Sequence, residues 1–366
     1  MACRPPCRAC DPAPLPDPTV PALLRHPLII ALGCVALALV VFAPRLWLLR
    51  QPVPGSFQWD RAVTFLQQVE SPFRRDIEPA MLWRQLPAVV CHYAGLRGQA
   101  AFAFPWLGAL AAVAYVAAVA SRHNPDLRFV GGCTLLYTSS SALLVPLHWW
   151  GINDGWIWLG LLAVAFARSR VAMIAALLLC PWVDERFLIA LPLTLLVRGH
   201  MGGHGFSWRQ FLPLAWVLPY LVARAVLSGP GSEGVQNGYL AERAQMLAGL
   251  APFAPLGWWM ALRGGWVAVG YAVTLGGCRI AAATALTLLI CFALASDISR
   301  SAAVLTPLLL AGCIEWNRRH PADSATHVWR LAWLNLLLPA AHVVHDKIDL
   351  ISPLPVELLR LWRIAG

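Results

Sequence analysis

The amino-acid sequence predicts an all-α protein, a polytopic bundle of transmembrane helices. Of its 366 residues, 59% are hydrophobic and only 13% are charged, whereas soluble proteins average about 25% charged residues. The apolar residues are gathered into runs separated by polar turns, from 27–49 to 328–344. We therefore expect about 11 spans, within a range of about 9 to 12, in one transmembrane domain over residues 27–366.

A Pro-rich segment that is poor in apolar residues precedes the first run. Such a segment buries too little apolar surface to fold, so residues 1–26 are expected to form a disordered cytoplasmic tail. Arg4, Arg8 and Arg25 would hold this tail inside the cell. The first run is too long for a signal peptide and lacks a small-residue cleavage site, which favours a retained helix.

Residues 50–98 form a polar, Pro-containing stretch between the first run and the next. Trp59, Val63, Leu66 and Val69 repeat there at helical spacing, with polar residues between them. This pattern is typical of an amphipathic helix that lies on a membrane. We therefore expect an external loop with interfacial helices over residues 50–98.

Charge predicts the orientation of the bundle, because basic turns are favoured in the cytoplasm. The basic turns that this orientation places inside are Arg122 with Arg128, Arg168 with Arg170, 198–209, Arg279, and Arg318 with Arg319. The acidic turns that it places outside are Asp60, Asp154, Asp184 with Glu185, Glu233, Asp297 and Asp346. The expected location is the cell inner (plasma) membrane, with several passes.

The turn Asp184-Glu185-Arg186 carries the main functional signal. Each flanking apolar arm has about 12 residues and reaches about 18 Å, against a bilayer core of about 30 Å. The turn is therefore expected at or below the outer membrane level, held by Pro181 and Pro192. Ionisable groups at that depth are functional candidates by default, although a salt bridge that closes a helical hairpin explains them equally well.

Asp154 lies among aromatic residues. Trp149 and Trp150 precede it and Trp156 follows it. Aromatic rings around an acid suit a sugar ring, and they equally suit an interfacial belt with a helix cap.

Asp297 and Arg300 lie in the polar turn 296–301. An external arginine runs against the positive-inside bias, and its planar fork suits phosphate. Asp297 is equally well explained as a helix cap. In the loop 50–98, Asp60, Arg61, Arg74 and Arg75 place mixed charge beside the membrane, or simply in solvent.

Several functional classes are not expected. The net charge is +10, but the arginines are scattered between apolar runs rather than clustered, which argues against nucleic acid as a partner. The sequence contains no GxxxxGK[ST], HExxH or GxSxG pattern, so an ATP-driven pump is not expected.

This layout resembles the C-type glycosyltransferase superfold of polytopic membrane enzymes. Members of that superfold use lipid-phosphate-linked sugars and carry a catalytic acid in the first external loop, just after the first span. Asp60, in Trp59-Asp60-Arg61, occupies the corresponding place. The segment 71–79, SPFRRDIEP, is similar to the Arg-then-Pro segment of some bacterial members.

The resemblance implies a site on the external face for a polyprenyl-phosphate-linked sugar. Asp60 would be the general base that deprotonates an acceptor hydroxyl. Asp184 and Glu185 would orient the acceptor or share a divalent cation, Mg²⁺ or Mn²⁺, with the phosphate. The expected substrate-binding residues are Arg61, Arg74, Arg75, Asp154, Trp149, Trp150, Trp156, Arg186, Asp297 and Arg300. The implied partners are membrane lipids and the lipid-linked sugar.

Two alternatives remain open. A polysaccharide polymerase or flippase-like protein of the cell envelope would use the same lipid-linked substrate but would rely on arginines rather than on an acidic base. A secondary transporter would show inverted repeats and broken helices in corresponding halves.

Overall fold

The computed structural model describes residues 26–50, 57–74, 76–77, 81–203, 206–227, 246–295 and 297–365. These residues are largely helical, as predicted, with one β-hairpin. The expected disordered tail, 1–26, lies outside the described residues except for His26.

The helices in chain order are α1 (Pro27–Val41), α2 (Trp47–Arg50), α3 (Phe57–Glu70), α4 (Leu86–Tyr93), α5 (Ala103–His123), α6 (Leu127–Thr138), α7 (Ser141–His148), α8 (Asp154–Phe166), α9 (Arg170–Leu179), α10 (Arg186–Met201), α11 (Leu218–Leu227), α12 (Ala254–Leu262), α13 (Trp266–Leu294), α14 (Ile298–Ala302), α15 (Thr306–Arg319), α16 (Ser324–Leu337) and α17 (Leu354–Ala365). Short 3₁₀ segments extend or join them at Gly98–Phe102, Cys180–Trp182, Trp208–Val217, Ala251–Phe253, Arg263–Gly265 and Ala303–Leu305. The strands are β1 (Ala341–Val344) and β2 (Lys347–Leu350).

Four helical stretches in the described residues are long and apolar enough to cross a bilayer: Gly98–His123, Trp208–Leu227, Met246–Leu294 and Ile298–Arg319. The pair α6–α7, bent by 47°, passes the same test as a single broken span. These helices support a membrane protein, but they do not confirm the expected number of about 11 spans. The difference arises because several of the apolar helices, including α1 with 15 residues and α8 with 13, are short.

Small residues let the helices of the bundle approach closely. A Cβ atom at Gly155 in α8 would overlap the backbone of Ala109 in α5, and one at Gly312 in α15 would overlap the carbonyl of Ala268 in α13. Where the surroundings are already apolar, close packing of this kind is a main force that holds helices together. The resulting core is continuous from α1 to α16.

The basic turns come together at one end of the bundle. The Arg318 guanidinium donates to the carbonyl of Met201 at 3.4 Å, and Arg198 donates to the carbonyls of Val164 and Ala167 at 2.9 and 3.0 Å. The loops that follow α8, α10 and α15 therefore meet, as expected of turns on one side of a membrane.

The last predicted span, 328–344, is wrong beyond Leu337. Helix α16 ends there, just before Leu338-Pro339, where the proline disfavours helical backbone in the residue before it. The chain then forms the antiparallel hairpin β1–β2, and Val344 forms an isolated bridge with Asp297.

The helix predicted at the start of the loop 50–98 is present as α3. Its buried side includes Trp59, Ala62, Phe65 and Val69, which form a second apolar cluster with α4 and Trp150. The polar residue Gln68 is buried as well, and it donates to the Met81 carbonyl at 2.9 Å. The apolar face of α3 is therefore largely covered by protein.

Candidate functional site

Three acidic turns that are distant in sequence meet at the other end of the bundle. Asp154 opens α8, Asp184 lies in the turn between the Cys180–Trp182 segment and α10, and Arg300 lies in α14. Asp154 and Asp184 are only 1% and 2% exposed. The structure thus joins residues that the sequence placed in three separate turns, and we call their ion-pair network the charged cluster.

Arg186 and Arg300 bind the two buried carboxylates. Arg186 Nη2 lies 2.7 Å from Asp154 Oδ1 and 2.8 Å from Asp184 Oδ2, and its Nε donates to Asp184 Oδ1 at 2.9 Å. Arg300 donates to Asp154 Oδ2 through Nε at 2.5 Å and to Asp154 Oδ1 through Nη2 at 2.8 Å. Two-pronged contacts of this kind fix the orientation of both the guanidinium and the carboxylate.

Two further arginines, which were not predicted as site residues, complete the cluster. Arg84 Nη1 lies 2.8 Å from Asp184 Oδ2, and its Nη2 lies 3.6 Å from Glu185 Oε2. Arg224, in α11, reaches Glu185 Oε1 at 2.5 Å. A signal for both existed in the sequence, because each arginine interrupts an otherwise apolar stretch.

The hairpin completes the far side of the cluster. Asp297 accepts from Arg300 Nη1 at 2.8 Å, and His342 Nε2 in β1 lies 3.4 Å from the other Asp297 oxygen. The backbone N–H of Val343 donates to Ser299 Oγ at 3.0 Å. His342 was not predicted because the sequence pattern suggested a helix at this position.

Neighbouring charges keep Asp184 and Asp297 ionised. Burial alone would raise the pKa of Asp184, but the guanidinium groups of Arg186 and Arg84 outweigh burial and hold that pKa well below its usual range. Burial opposes ionisation of Asp297 as well, yet His342 and Arg300 hold its pKa well below the usual range. Both carboxylates therefore carry charge at neutral pH and act as fixed anions.

A small polar cavity lies beside the buried acids. Its volume is about 20 Å³, roughly the space of one water molecule. Its lining includes Arg61, Arg84, Asn153, Asp154, Asp184 and Arg300. Two donors of the cluster, Arg84 Nε and Arg186 Nη1, are buried without an acceptor among the described residues. Of these two arginines, Arg84 lines the cavity.

The predicted residues of the first loop are only partly described. The side chain of Asp60 and the whole of Arg75 lie outside the described residues. Arg61, next to Asp60 in α3, lines the cavity. Arg74 is not a member of the cluster, because it pairs with Asp76 on the exposed loop through two contacts of 2.6 and 2.8 Å.

The expectation that tryptophans offer a sugar-stacking surface does not fit their positions. Trp149 and Trp150 are 1% and 2% exposed and pack among protein groups. Trp156 is partly buried, stacks on Phe104 and donates to the Phe104 carbonyl at 3.0 Å. Trp149 packs edge-on against His342, with 4.1 Å between the ring centroids. The turn 149–153 folds back against α3, where Gly151 has a φ of +81°.

A divalent cation does not fit this donor set. The oxygens of Asp154, Asp184 and Glu185 already face guanidinium groups, whose positive charge would repel Mg²⁺ or Mn²⁺. The described residues contain no group of three or more His, Cys, Asp or Glu arranged to hold a metal ion.

The acids and the arginines of the cluster largely satisfy one another. Arg84, Arg186 and Arg300 converge on the Asp154–Asp184 pair, and their planar forks are paired with carboxylate oxygens. The surrounding helices are apolar and would strengthen such contacts by excluding water. In comparisons with known proteins, no family model, curated protein or solved structure matches this chain.

Proposed function

We propose that this chain is an integral membrane transferase that takes a sugar from a polyprenyl-phosphate donor on the external face of the membrane. The observation that carries the proposal is the convergence of Arg84, Arg186 and Arg300 beside the polar cavity, with two buried donors unused. A phosphate diester offers acceptor oxygens that match a guanidinium fork.

The charge of the cluster supports a replaceable anion. The cations Arg84, Arg186, Arg224 and Arg300 balance the anions Asp154, Asp184, Glu185 and Asp297. The acids thus hold the arginines in position without a ligand. This reduces the entropic cost of ordering the arginine side chains when a ligand binds. An entering phosphate would have to widen the cavity, which has the volume of about one water molecule, and would compete with Glu185 for Arg84.

The Asp184 carboxylate is a poor proton acceptor. Since arginine neighbours lower the pKa of Asp184, its carboxylate is too weakly basic to remove a proton from a hydroxyl efficiently. We assign the base to Asp60, as the resemblance to C-type glycosyltransferases implies. Its helix α3 supplies Arg61 and Gln68 to the cavity. Asp184 and Glu185 are then positioning residues for the arginines.

We extend the proposal to topology and location. We propose about 11 spans with the basic end in the cytoplasm. The acidic turns meet at one end of the bundle and the basic loops at the other, which supports this orientation. The plasma membrane is the proposed location, because the proposed reaction takes its polyprenyl-phosphate donor from the lipids of that membrane.

The test is a transfer assay in membranes that contain the full chain, with a panel of polyprenyl-phosphate-linked sugars as donors. Asp60→Asn and Arg300→Gln are each expected to lower transfer by about 100-fold or more, because one removes the base and the other a phosphate contact. Arg319→Gln, exposed at the opposite end of the bundle, is the matched control and should retain activity.

The pattern of losses separates the alternatives. Full activity of Asp60→Asn would exclude Asp60 as the base. If Arg84→Gln and Arg300→Gln abolish activity while Asp60→Asn does not, the hypothesis of a polymerase or flippase-like protein is favoured. No transfer with any donor by the unmodified chain contradicts the transferase proposal.

One observation favours a secondary transporter as a second candidate. The α6–α7 span is bent by 47° at Ser139–Ser140 and capped by Ser140, and broken spans often host transported ligands. Uptake of a labelled anion into proteoliposomes, coupled to a proton or sodium gradient and reduced by Arg300→Gln, would support this candidate.

A further inference from the structure

The C-terminal helix α17, Leu354–Ala365, has an apolar face that no part of the described chain covers. It follows the hairpin and contacts α1 and α2 with one side only. Leu358 and Leu359 are 50% and 55% exposed, and Trp362 is 73% exposed. A lone exposed leucine needs no explanation, but a continuous apolar strip marks an interaction surface.

The helix is divided lengthwise into three sectors. Glu357 is buried on the protein side. At about 100° per residue, Leu358, Trp362 and Leu359 fall together on the next sector. Arg360 and Arg363 fall on the third sector, beside the apolar one, and Arg360 reaches back to Glu357 at 2.6 Å. An apolar strip bordered by arginines is typical of a helix that lies in the plane of a membrane surface.

The position of α17 along the bundle agrees with this pattern. The backbone N–H of Ala43, two residues beyond the end of α1, donates to the carbonyl of Ser352 at 2.9 Å. Helix α1 is one of the shorter apolar helices of the bundle, and the segment after it pairs with the hairpin through Arg45 and Asp349. Helix α17 therefore starts level with the end of an apolar helix, where we expect a membrane surface.

We propose that α17 is an interfacial anchor that binds the phospholipid surface on the side of the charged cluster. Leu358, Leu359 and Trp362 enter the acyl region, while Arg360 and Arg363 lie at the level of the lipid phosphates. Long arginine side chains can keep an apolar stem in the boundary and the guanidinium among the headgroups. This inference does not depend on the proposed transferase activity.

The anchor would also position the hairpin over the charged cluster. Asp349 in β2 forms an ion pair with Arg45 in the segment after α1. At the other strand, Val343 bonds to Ser299, the residue before Arg300. Lipid contact by α17 thus adds a fixed point to the segment that presents Arg300.

Depth measurements on the full chain in phosphatidylethanolamine–phosphatidylglycerol nanodiscs test the proposal. A nitroxide is attached to p-acetylphenylalanine placed at Leu358, at Trp362 and, as an exposed control, at Asp346 in the hairpin turn. At positions 358 and 362 we expect the nitroxide to collide more often with molecular oxygen than with the nickel chelate. At position 346 we expect the reverse. Nickel-chelate dominance at all three positions overturns the proposal. Low access of both reagents at 358 and 362 also overturns it, because that result indicates a protein partner such as a second copy.

A second measurement uses the unmodified chain and so avoids variants that fail to fold. Nanodiscs are prepared with a phospholipid that carries a photoreactive diazirine in its acyl chain. After irradiation and tryptic digestion, lipid adducts are expected on peptide 348–360, which contains most of α17. Adducts on α1 peptides without adducts on this peptide contradict the anchor.

Discussion

At the residue scale, each charged side chain of the cluster depends on its ion-pair partner, because the carboxylates are buried. Arg186→Gln leaves Asp154 and Asp184 with less countercharge, and losing one partner of a buried pair costs about 3–5 kcal/mol. Arg224→Gln breaks a pair whose arginine is 36% exposed, so it should cost about 1 kcal/mol or less. Chemical unfolding in mixed micelles measures both, and equal destabilisation would contradict a buried ionic centre at Arg186.

Five of the predicted site residues lie together in the structure, and each is a charged group whose burial in a membrane is costly. Asp154, Asp184, Arg186, Asp297 and Arg300 stood out because charged groups in apolar surroundings need a partner or a function, and the structure brings all five together. Their mutual pairing could not be predicted, since it depends on contacts between turns up to 146 positions apart.

At the element scale, the contact between α13 and α15 relies on Gly312. A Cβ there would overlap the carbonyl oxygen of Ala268, so Gly312→Ala should force the helices apart at a cost of about 1–3 kcal/mol. Gly33→Ala in α1 is the matched control, because nothing lies within 4 Å of its Cβ position and alanine favours helix. Unfolding of the two variants in the same micelles should differ accordingly. A destabilised Gly33→Ala variant, or a Gly312→Ala variant as stable as the original chain, would argue against this helix contact.

The helices were predicted from the pattern of apolar residues. Such a pattern shows which segments are apolar better than it shows where the chain turns. The run 328–344 is mostly apolar, yet only its first part is helical, because Pro339 and the pairing of β1 with β2 override the pattern. Helix α3 was predicted correctly, but its apolar face packs on α4 rather than only on lipid. Such tertiary partners are not visible in a single sequence.

At the scale of the whole molecule, alternation of charge predicted which turns share an end of the bundle. The Asp154, Asp184 and Asp297 turns meet at one end, and the Arg198 and Arg318 loops meet at the other. This agreement arises because every polar turn between apolar helices must reach one of two surfaces. The number of spans was harder to predict, since short and broken helices obscure where one crossing ends.

Chemical labelling of one residue can show on which side of the membrane the charged cluster lies. Lys347 is the only lysine in the chain, and it is exposed in β2, next to the hairpin contacts with Ser299 and Arg45. A membrane-impermeant amine reagent added to intact cells is expected to label it, because the acidic end of the bundle is proposed to face outward. Lys347→Arg keeps the charge and removes the reactive amine, so it reveals any label at the N-terminus. Label that appears only after the cells are opened would place the cluster in the cytoplasm, and an external lipid-linked donor could then not reach Arg84, Arg186 and Arg300.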